Sequence, residues 1–562
     1  MKNLFYLILS FLIVDLTVQS CANIGRPTGG PKDTIPPTLT YSIPQTGTTN
    51  YDNEELILEF SEFINADKLK QQLIITPKTD IQYNSIAKRN KLVIKLDTKL
   101  ADSTTYNFNF ADGVTDITEN NPATNLFIAF STGPYIDSLA ITGFVKELLT
   151  NEPAKKYVVG LYPLSDSLNY FATNPMYFTT TNDSGRYAIN YVKRGKYKII
   201  SFKDENANYL LDPESESHGF LQDTINLDSS LSLKPIRCIL QNVKPIEMMN
   251  YRPIGPYVEI KFNKTPDRYS IEPEYLNHHI VGDKKDIIRI YKHSSIAYND
   301  SLQTTLIAYD SLQNKIEENI KIVFLESSRK TAKFSVTTKP TTLDIYKDKT
   351  LNLSFNKPVI SYDSTNLSIK SDSIFTYPLS AEFSWNTNHT ELELKLKVKQ
   401  DSVYNQFKKL LQKDSAERDT SVNSNTIYSQ NKSRKLQIEI PEGMFTSVER
   451  DSSSLTTIAI NKKPKPSSGI LKLAISTTQN NYFLQILNDK GQVKYSISNQ
   501  KTATFDSIIP GNYTIRVLID DNKDGNWSYG NLLKNEEPET VYIHPEEISI
   551  RENWIVEMGI SF

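Results

Sequence analysis

The residues best placed to do chemistry are Asp520-Asp521-Asn522-Lys523-Asp524-Gly525-Asn526. Side-chain oxygens at the first, third and fifth positions (Asp520, Asn522 and Asp524), with glycine at the sixth, let a tight loop aim several hard ligands at one cation such as calcium. The twelfth position, where a bidentate Glu would complete such a loop, is Asn531. An earlier copy, Asp204-Glu205-Asn206-Ala207-Asn208-Tyr209, lacks the glycine and has Ser215 at its twelfth position, with Glu214 and Glu216 alongside. The competing reading of both is an Asx-rich turn whose side chains bond their own backbone. Calcium is the one cofactor these residues point to. Its ligands would be Asp520, Asn522 and Asp524 in the later loop, and Asp204, Asn206 and Asn208 in the earlier.

Catalysis finds little support. The six histidines, His218, His278, His279, His293, His389 and His544, form no HExxH and have no cysteine partner at ligand spacing. His278 and His279, adjacent on a strand, would face opposite ways. GxSxG, Walker and GxGxxG patterns are missing, and nothing selects two of the scattered acids as a hydrolase pair. The expectation is a chain that is not an enzyme.

The elements that must carry the acidic loops are strands. Gly195-Lys196-Tyr197-Lys198-Ile199 precedes the first loop and Gly511-Asn512-Tyr513-Thr514-Ile515 the second, with nine residues from glycine to acid in both. A shared Gly-x-Tyr-x-Ile and acid cluster at fixed offset marks an internal repeat. Another repeat has alternate apolar residues ending on Phe: Leu56 to Phe60, Val258 to Phe262 and Leu351 to Phe355. The last two continue into Asn-Lys, whereas the first continues into Ser61-Glu62. Leu92 to Leu96 and Tyr106 to Phe110 alternate as half-buried strands should. The turn Ala111 to Asn120 carries three acids that could hold a cation, but a solvated turn is the better reading.

Composition sets the frame. A length of 562 residues implies roughly four or five domains. Lys+Arg of 63 against Asp+Glu of 65 gives no charge excess for nucleic acid or a charged membrane surface. The two cysteines, Cys21 and Cys238, leave Cys238 alone if Cys21 is modified, so stability must come from buried cores. Cys238 reads as a small apolar core residue.

The beginning is a targeting segment. Lys2 stands before an apolar run from Leu4 to Val14, too short for a membrane span and interrupted by Asp15. Val18-Gln19-Ser20-Cys21 resembles a bacterial lipobox, which implies cleavage after Ser20 and acylation of Cys21. The Gly/Pro-rich tether that follows, with Pro27-Thr28-Gly29-Gly30-Pro31-Lys32-Asp33-Thr34-Ile35-Pro36-Pro37, resembles the mature start of a family of Bacteroidetes lipoproteins. In that family the tether leads into a bacterial Ig-like domain of the surface-layer (SbsA) type. The strand ending in Phe60-Ser61-Glu62, the Thr104-Thr105-Tyr106 strand and the terminal Phe130-Ser131-Thr132-Gly133 fit that domain. The resemblance covers roughly residues 1 to 220 and says little about chemistry. Ala22, in place of the Asp that commonly retains lipoproteins at an inner membrane, implies the outer membrane and leaves the face undetermined.

The expected fold is all-β: tandem Ig-like and prealbumin-like β-sandwiches on an N-terminal lipid anchor. The expected order is a signal peptide (1–20), a lipidated tether (21–37) and an SbsA-type Ig-like domain (38–135). A sandwich resembling the carboxypeptidase-regulatory domain follows (136–240), then an Ig-like sandwich (241–340). A second Ig-like sandwich (341–463) has a polar insert at 400–433, and a last sandwich similar to the second domain closes the chain (466–562). Within the insert, Val403, Phe407, Leu410 and Leu411 fall at helical spacing. The expected function is a structural, adhesive, or protein- or glycan-binding role in the cell envelope. The alternative is an accessory carbohydrate- or peptide-processing protein with weak hydrolase activity.

Overall fold

The structure, a computed structural model, describes residues 32–165, 168–274, 276–281, 285–326, 332–343, 350–371, 375–398, 402–403, 405–407, 409–410, 436–460 and 468–562. The fold is all-β, a series of strand sandwiches with almost no helix among the described residues. Chain contacts divide it into two units, Met1–Asp212 with Glu216–Leu240, and Pro213–Ser215 with Gln241–Phe562. Among the described residues no helix is long and apolar enough to cross a membrane.

Among the described residues, five separate clusters of buried apolar side chains run along the sequence. In the first unit, strands Leu39–Ile43, Glu55–Phe60, Lys91–Leu96 and Tyr83–Lys88 form one sheet in that order; Ile74–Thr76, Thr105–Asn109 and Phe127–Ser131 form its companion. Leu56, Leu58 and Phe60 all lie on the buried face, as period-two alternation requires. Phe130 packs against Phe108 of its own sheet and Tyr51 of the segment before Glu55–Phe60, at ring separations of 5.7 and 4.9 Å.

The same pairing plan occurs twice in the second unit. Met248–Ile254, Tyr257–Phe262, Ile287–Tyr291 and Asn277–Val281 repeat it, as do Val336–Lys339, Thr350–Phe355, Glu391–Lys397 and Ser380–Trp385. Because Val336–Lys339 pairs with Thr350–Phe355, and Phe334 belongs to the fourth core, the expected border at 340 moves back ahead of Phe334. A hydrophobic pattern cannot show which sheet an isolated short strand joins. Within the insert, Val403 and Phe407, on its helical turns, are buried in the fourth core. Residues 411–435 lie outside the described residues.

The second and fifth sandwiches share another plan. Leu139–Glu147 runs parallel to Ile236–Leu240 and antiparallel to Arg186–Val192. Gly469–Ser476 runs parallel to Ile555–Ser561 and antiparallel to Thr502–Ile508. In each, a long strand, Gly195–Phe202 or Gly511–Ile519, sits at the centre of a sheet and delivers an acidic loop from its end. Beside the first of these, Gly219 is required by close approach, since a Cβ there would lie 2.1 Å from the Arg237 carbonyl oxygen.

Candidate functional site

Asp520 follows directly on strand Gly511–Ile519, and it is buried. Its Oδ1 accepts the Asp524 N–H at 3.2 Å and its Oδ2 the Gly525 N–H at 2.9 Å. Asn522 Oδ1 accepts the Asp524 N–H at 2.8 Å, and Asp524 Oδ1 the Asn526 N–H at 2.8 Å. Lys523 and Gly525 take positive φ, 62° and 91°, which curls the backbone so that its N–H groups face the acids.

The earlier loop repeats this atom by atom. Asp204 Oδ1 accepts the Asn208 N–H at 3.2 Å, Asp204 Oδ2 the Tyr209 N–H at 2.9 Å, and Asn206 Oδ1 the Asn208 N–H at 3.1 Å. Ala207 and Tyr209 occupy the positive-φ positions, at 58° and 57°. The missing glycine is therefore no obstacle. Tyr209 is held in the left-handed region while its ring packs 4.8 Å from Phe178 and under the Lys78 ammonium at 5.3 Å.

Sequence reasoning left the second carboxylate of each loop undecided or missed it. Glu216 is buried; its Oε1 accepts the Glu205 N–H at 3.0 Å and its Oε2 the Asp212 N–H at 2.9 Å. Burial pushes its carboxyl above the usual range, against the pull of those N–H groups. Glu539 does the same work in the fifth sandwich, accepting from Asn522 N–H at 3.0 Å and Ser528 N–H at 2.7 Å. It lies 12 residues beyond Asp204 in one case (216 − 204) and 19 beyond Asp520 in the other (539 − 520), so no fixed spacing could have revealed it. Asn531, at the expected twelfth position, instead caps its own turn by accepting the Leu533 N–H.

Both loops are thus ordered by carboxylates holding backbone N–H groups. Neither gathers three His, Cys, Asp or Glu ligand atoms within 4.8 Å of one another; among the described residues that occurs at Asp33, Glu62 and Asp116. Of the three acids in the Ala111 to Asn120 turn, Asp112 and Glu119 are exposed, whereas Asp116 is not. Asp116 is fully buried because its Oδ1 takes the N–H groups of Thr118, Glu119 and Asn120.

The other candidates are dispersed. His218 is buried beside the Glu216 carbonyl, His389 stacks on Trp385, and His544 lies by Tyr542. Trp527 donates to the Thr540 carbonyl, whereas Trp554 is exposed under Arg551. Cys238 is buried against the Ser201 carbonyl, and burial raises its thiol pKa far above the usual range. Cys21 and the apolar run before it lie outside the described residues, as does the Pro/Lys stretch at 461–467.

Among solved structures the chain is similar to a Streptococcal ancillary pilin, at 9% identity over 44% of this chain and 81% of that one, with a TM-score of 0.14. It is also similar to extracellular cadherin domains 1–4 of protocadherin gamma B7, at 8% identity over 51% and 76%, TM-score 0.13. For extracellular cadherin domains 1–5 of protocadherin gamma B2 the identity is 10% over 81% and 90%, TM-score 0.14. No curated protein matches the chain. Residues 33–132, the first sandwich with the end of its tether, match the family described as the bacterial Ig-like domain.

Proposed function

We propose that this chain is a lipid-anchored protein of the cell envelope whose sandwiches serve a structural or adhesive role, and not catalysis. The observation that supports this best is the series of five apolar cores whose buried acids serve the fold itself. Asp116, Glu216, Asp310 and Glu539 each accept backbone N–H groups of nearby turns. The lipobox resemblance at Val18 to Cys21 supplies the anchor, and the partners are envelope proteins or glycans. Membrane fractionation and mass spectrometry of wild type and Cys21→Ala test the anchor; wild type without lipid, or a variant that stays in the membrane fraction, overturns it. Protease treatment of whole cells assigns the face. Cross-linking in the native host identifies the partner, and turnover of a glycan or peptide by the purified chain would refute the non-catalytic role.

For Asp520, Asn522 and Asp524, and secondarily Asp204, Asn206 and Asn208, the proposal is a turn stiffened by calcium. The shared backbone curl supports it, since it leaves alternate side-chain oxygens on one loop.

A further inference from the structure

The outer face of the first sheet departs from the pattern of its sisters. Ile57 points away from the core that Leu56 and Leu58 fill, and it pairs with Ile43 on one neighbouring strand and Val93 on the other. Val93 in turn pairs with Ile86. One row, Ile43-Ile57-Val93-Ile86, therefore crosses all four strands on the side away from the core. None of the four belongs to the core cluster. Ile57 and Val93 are half-buried, while Ile43 and Ile86 at the two edges are 37% and 68% exposed.

The two other sheets of this plan carry the same row at the same register. Ile57, three residues before Phe60, corresponds to Glu259 before Phe262 and to Asn352 before Phe355. In the third sandwich the row runs Arg252-Glu259-Arg289, and both guanidinium groups hold the Glu259 carboxylate, at 3.0 and 2.9 Å. In the fourth it runs Lys339-Asn352-Glu393-Ser384. Where the sisters place ions and polar groups that water solvates, the first sandwich places an unbroken apolar stripe.

The charges beside the stripe select what covers it. On one side Tyr41, Glu59, Lys91 and Lys88 form the adjacent row, with Lys91 Nζ 3.5 Å from Glu59. On the other side Glu55 pairs with Lys95, and Lys95 with Asn84. Acids thus stand on the strand Glu55–Phe60 and bases at the same heights on Lys91–Leu96. A lipid surface would have to draw both carboxylates to its apolar boundary, at a cost. A second copy of the same face supplies each of them with an ammonium.

We propose that the first sandwich pairs with a second copy of this chain through this stripe. The twofold axis runs along the strands, between the two central ones. It lays Ile57 of each copy over Val93 of the other and Ile43 over Ile86, with Glu59 over Lys91 and Glu55 over Lys95. An axis across the strands would instead set Glu59 over Glu55 and Lys91 over Lys95, so the charges choose the first. Sheets stacked about 10 Å apart interdigitate such side chains, and the contact closes on itself as a dimer. Four strands ~4.8 Å apart and three rows ~6.8 Å apart cover about 400 Å² per copy. That is roughly half of a standard interface, so the pairing is weak and rises with concentration.

The test is cross-linking of the purified full chain with a short bismaleimide over a concentration series, in a Cys21→Ala background whose other native thiol, Cys238, is buried. Removing Cys21 also keeps the result independent of the lipid anchor. A mixture of Ile43→Cys and Ile86→Cys chains should give at least tenfold more cross-linked dimer than either chain alone, because the two positions face each other across the axis. Adding Ile57→Glu to both, the residue type the third sandwich carries there, should lower that yield at least tenfold while the circular-dichroism spectrum stays the same. Glu55→Lys and Lys95→Glu chains should each sediment as monomers and recover the dimer when mixed. A mixture that cross-links no better than Ile86→Cys alone, or a monomer at every concentration, overturns the proposal. So does an Ile86→Cys thiol that is protected by anionic lipid vesicles and forms no dimer.

Discussion

Lys264 Nζ lies 2.6 Å from Asp310 Oδ2, with the lysine side chain 12% and the aspartate 1% exposed. The lysine also donates to the Asn242 carbonyl at 3.2 Å and to that of Lys244, so one ammonium joins the domain's entry segment to its acid turn. Lys264→Met should destabilise the third sandwich by about 3–5 kcal/mol, the usual result of leaving one member of a buried pair alone. Lys315→Met, at an exposed pair with Glu317, should leave the urea midpoint unchanged.

The same turn predicts an acid response. Burial alone would raise the Asp310 carboxyl, but the Lys264 ammonium and the Asn314 donors outweigh it and hold the value below the usual range. A depressed folded value means that the contribution is complete above about pH 4, the ordinary range for Asp, and is lost as pH falls through the lower folded value. Urea unfolding followed between pH 5 and pH 2 should show this loss, and Asp310→Asn should flatten it.

Glu216 and Glu539 predict the cost of opening the two acidic loops. Glu539→Ala strands the Asn522 and Ser528 N–H groups and should lower stability by about 1–3 kcal/mol for each one left without a partner. Glu216→Ala should do the same through Glu205 and Asp212. Thermal unfolding of the full chain measures both. A variant as stable as wild type would show that water replaces the carboxylate freely.

Calcium at the later loop has its own signature. At a hundredfold excess over Kd, an ion bound only by the folded state stabilises by about 2.7 kcal/mol. Calcium should raise the melting temperature of the chelator-stripped full chain, and Asp520→Ala should abolish the rise. A melting temperature indifferent to calcium and to chelator would leave the loop as a plain Asx turn.

His218 should make the second sandwich sensitive to mild acid. Burial lowers its pKa, opposed by the Glu216 carbonyl 3.1 Å from Nδ1; since a carbonyl only accepts, Nδ1 carries the proton of the neutral ring. The unfolded chain takes up a proton below about pH 6.5 that the folded chain resists, so stability is full above that pH and declines as pH falls toward the folded value. The slope should reach at most about 1.4 kcal/mol per pH unit and should vanish in His218→Gln. Urea midpoints at pH 8 and pH 5.5 decide it.

What the sequence determined by itself is what local repetition can carry. Alternating apolar residues specify strands whose faces differ in polarity, and Leu56, Leu58 and Phe60 are buried as that period demands. Likewise, two copies of Gly-x-Tyr-x-Ile followed by an acid cluster mark two strands ending in one kind of loop, and Asp204 and Asp520 make matching bonds. Tertiary structure alone decided which distant groups meet those residues. Glu216 and Glu539 reach N–H groups of the two acidic loops from unequal spacings, and Val336–Lys339 joins the fourth sandwich because its edge bonds to Thr350–Phe355. Asp116 reads as one more surface acid until the turn closes on it and Glu62 and Asp33 arrive beside it. Strand character is set by neighbours in the chain, whereas the environment of a carboxylate is set by groups that folding brings from elsewhere.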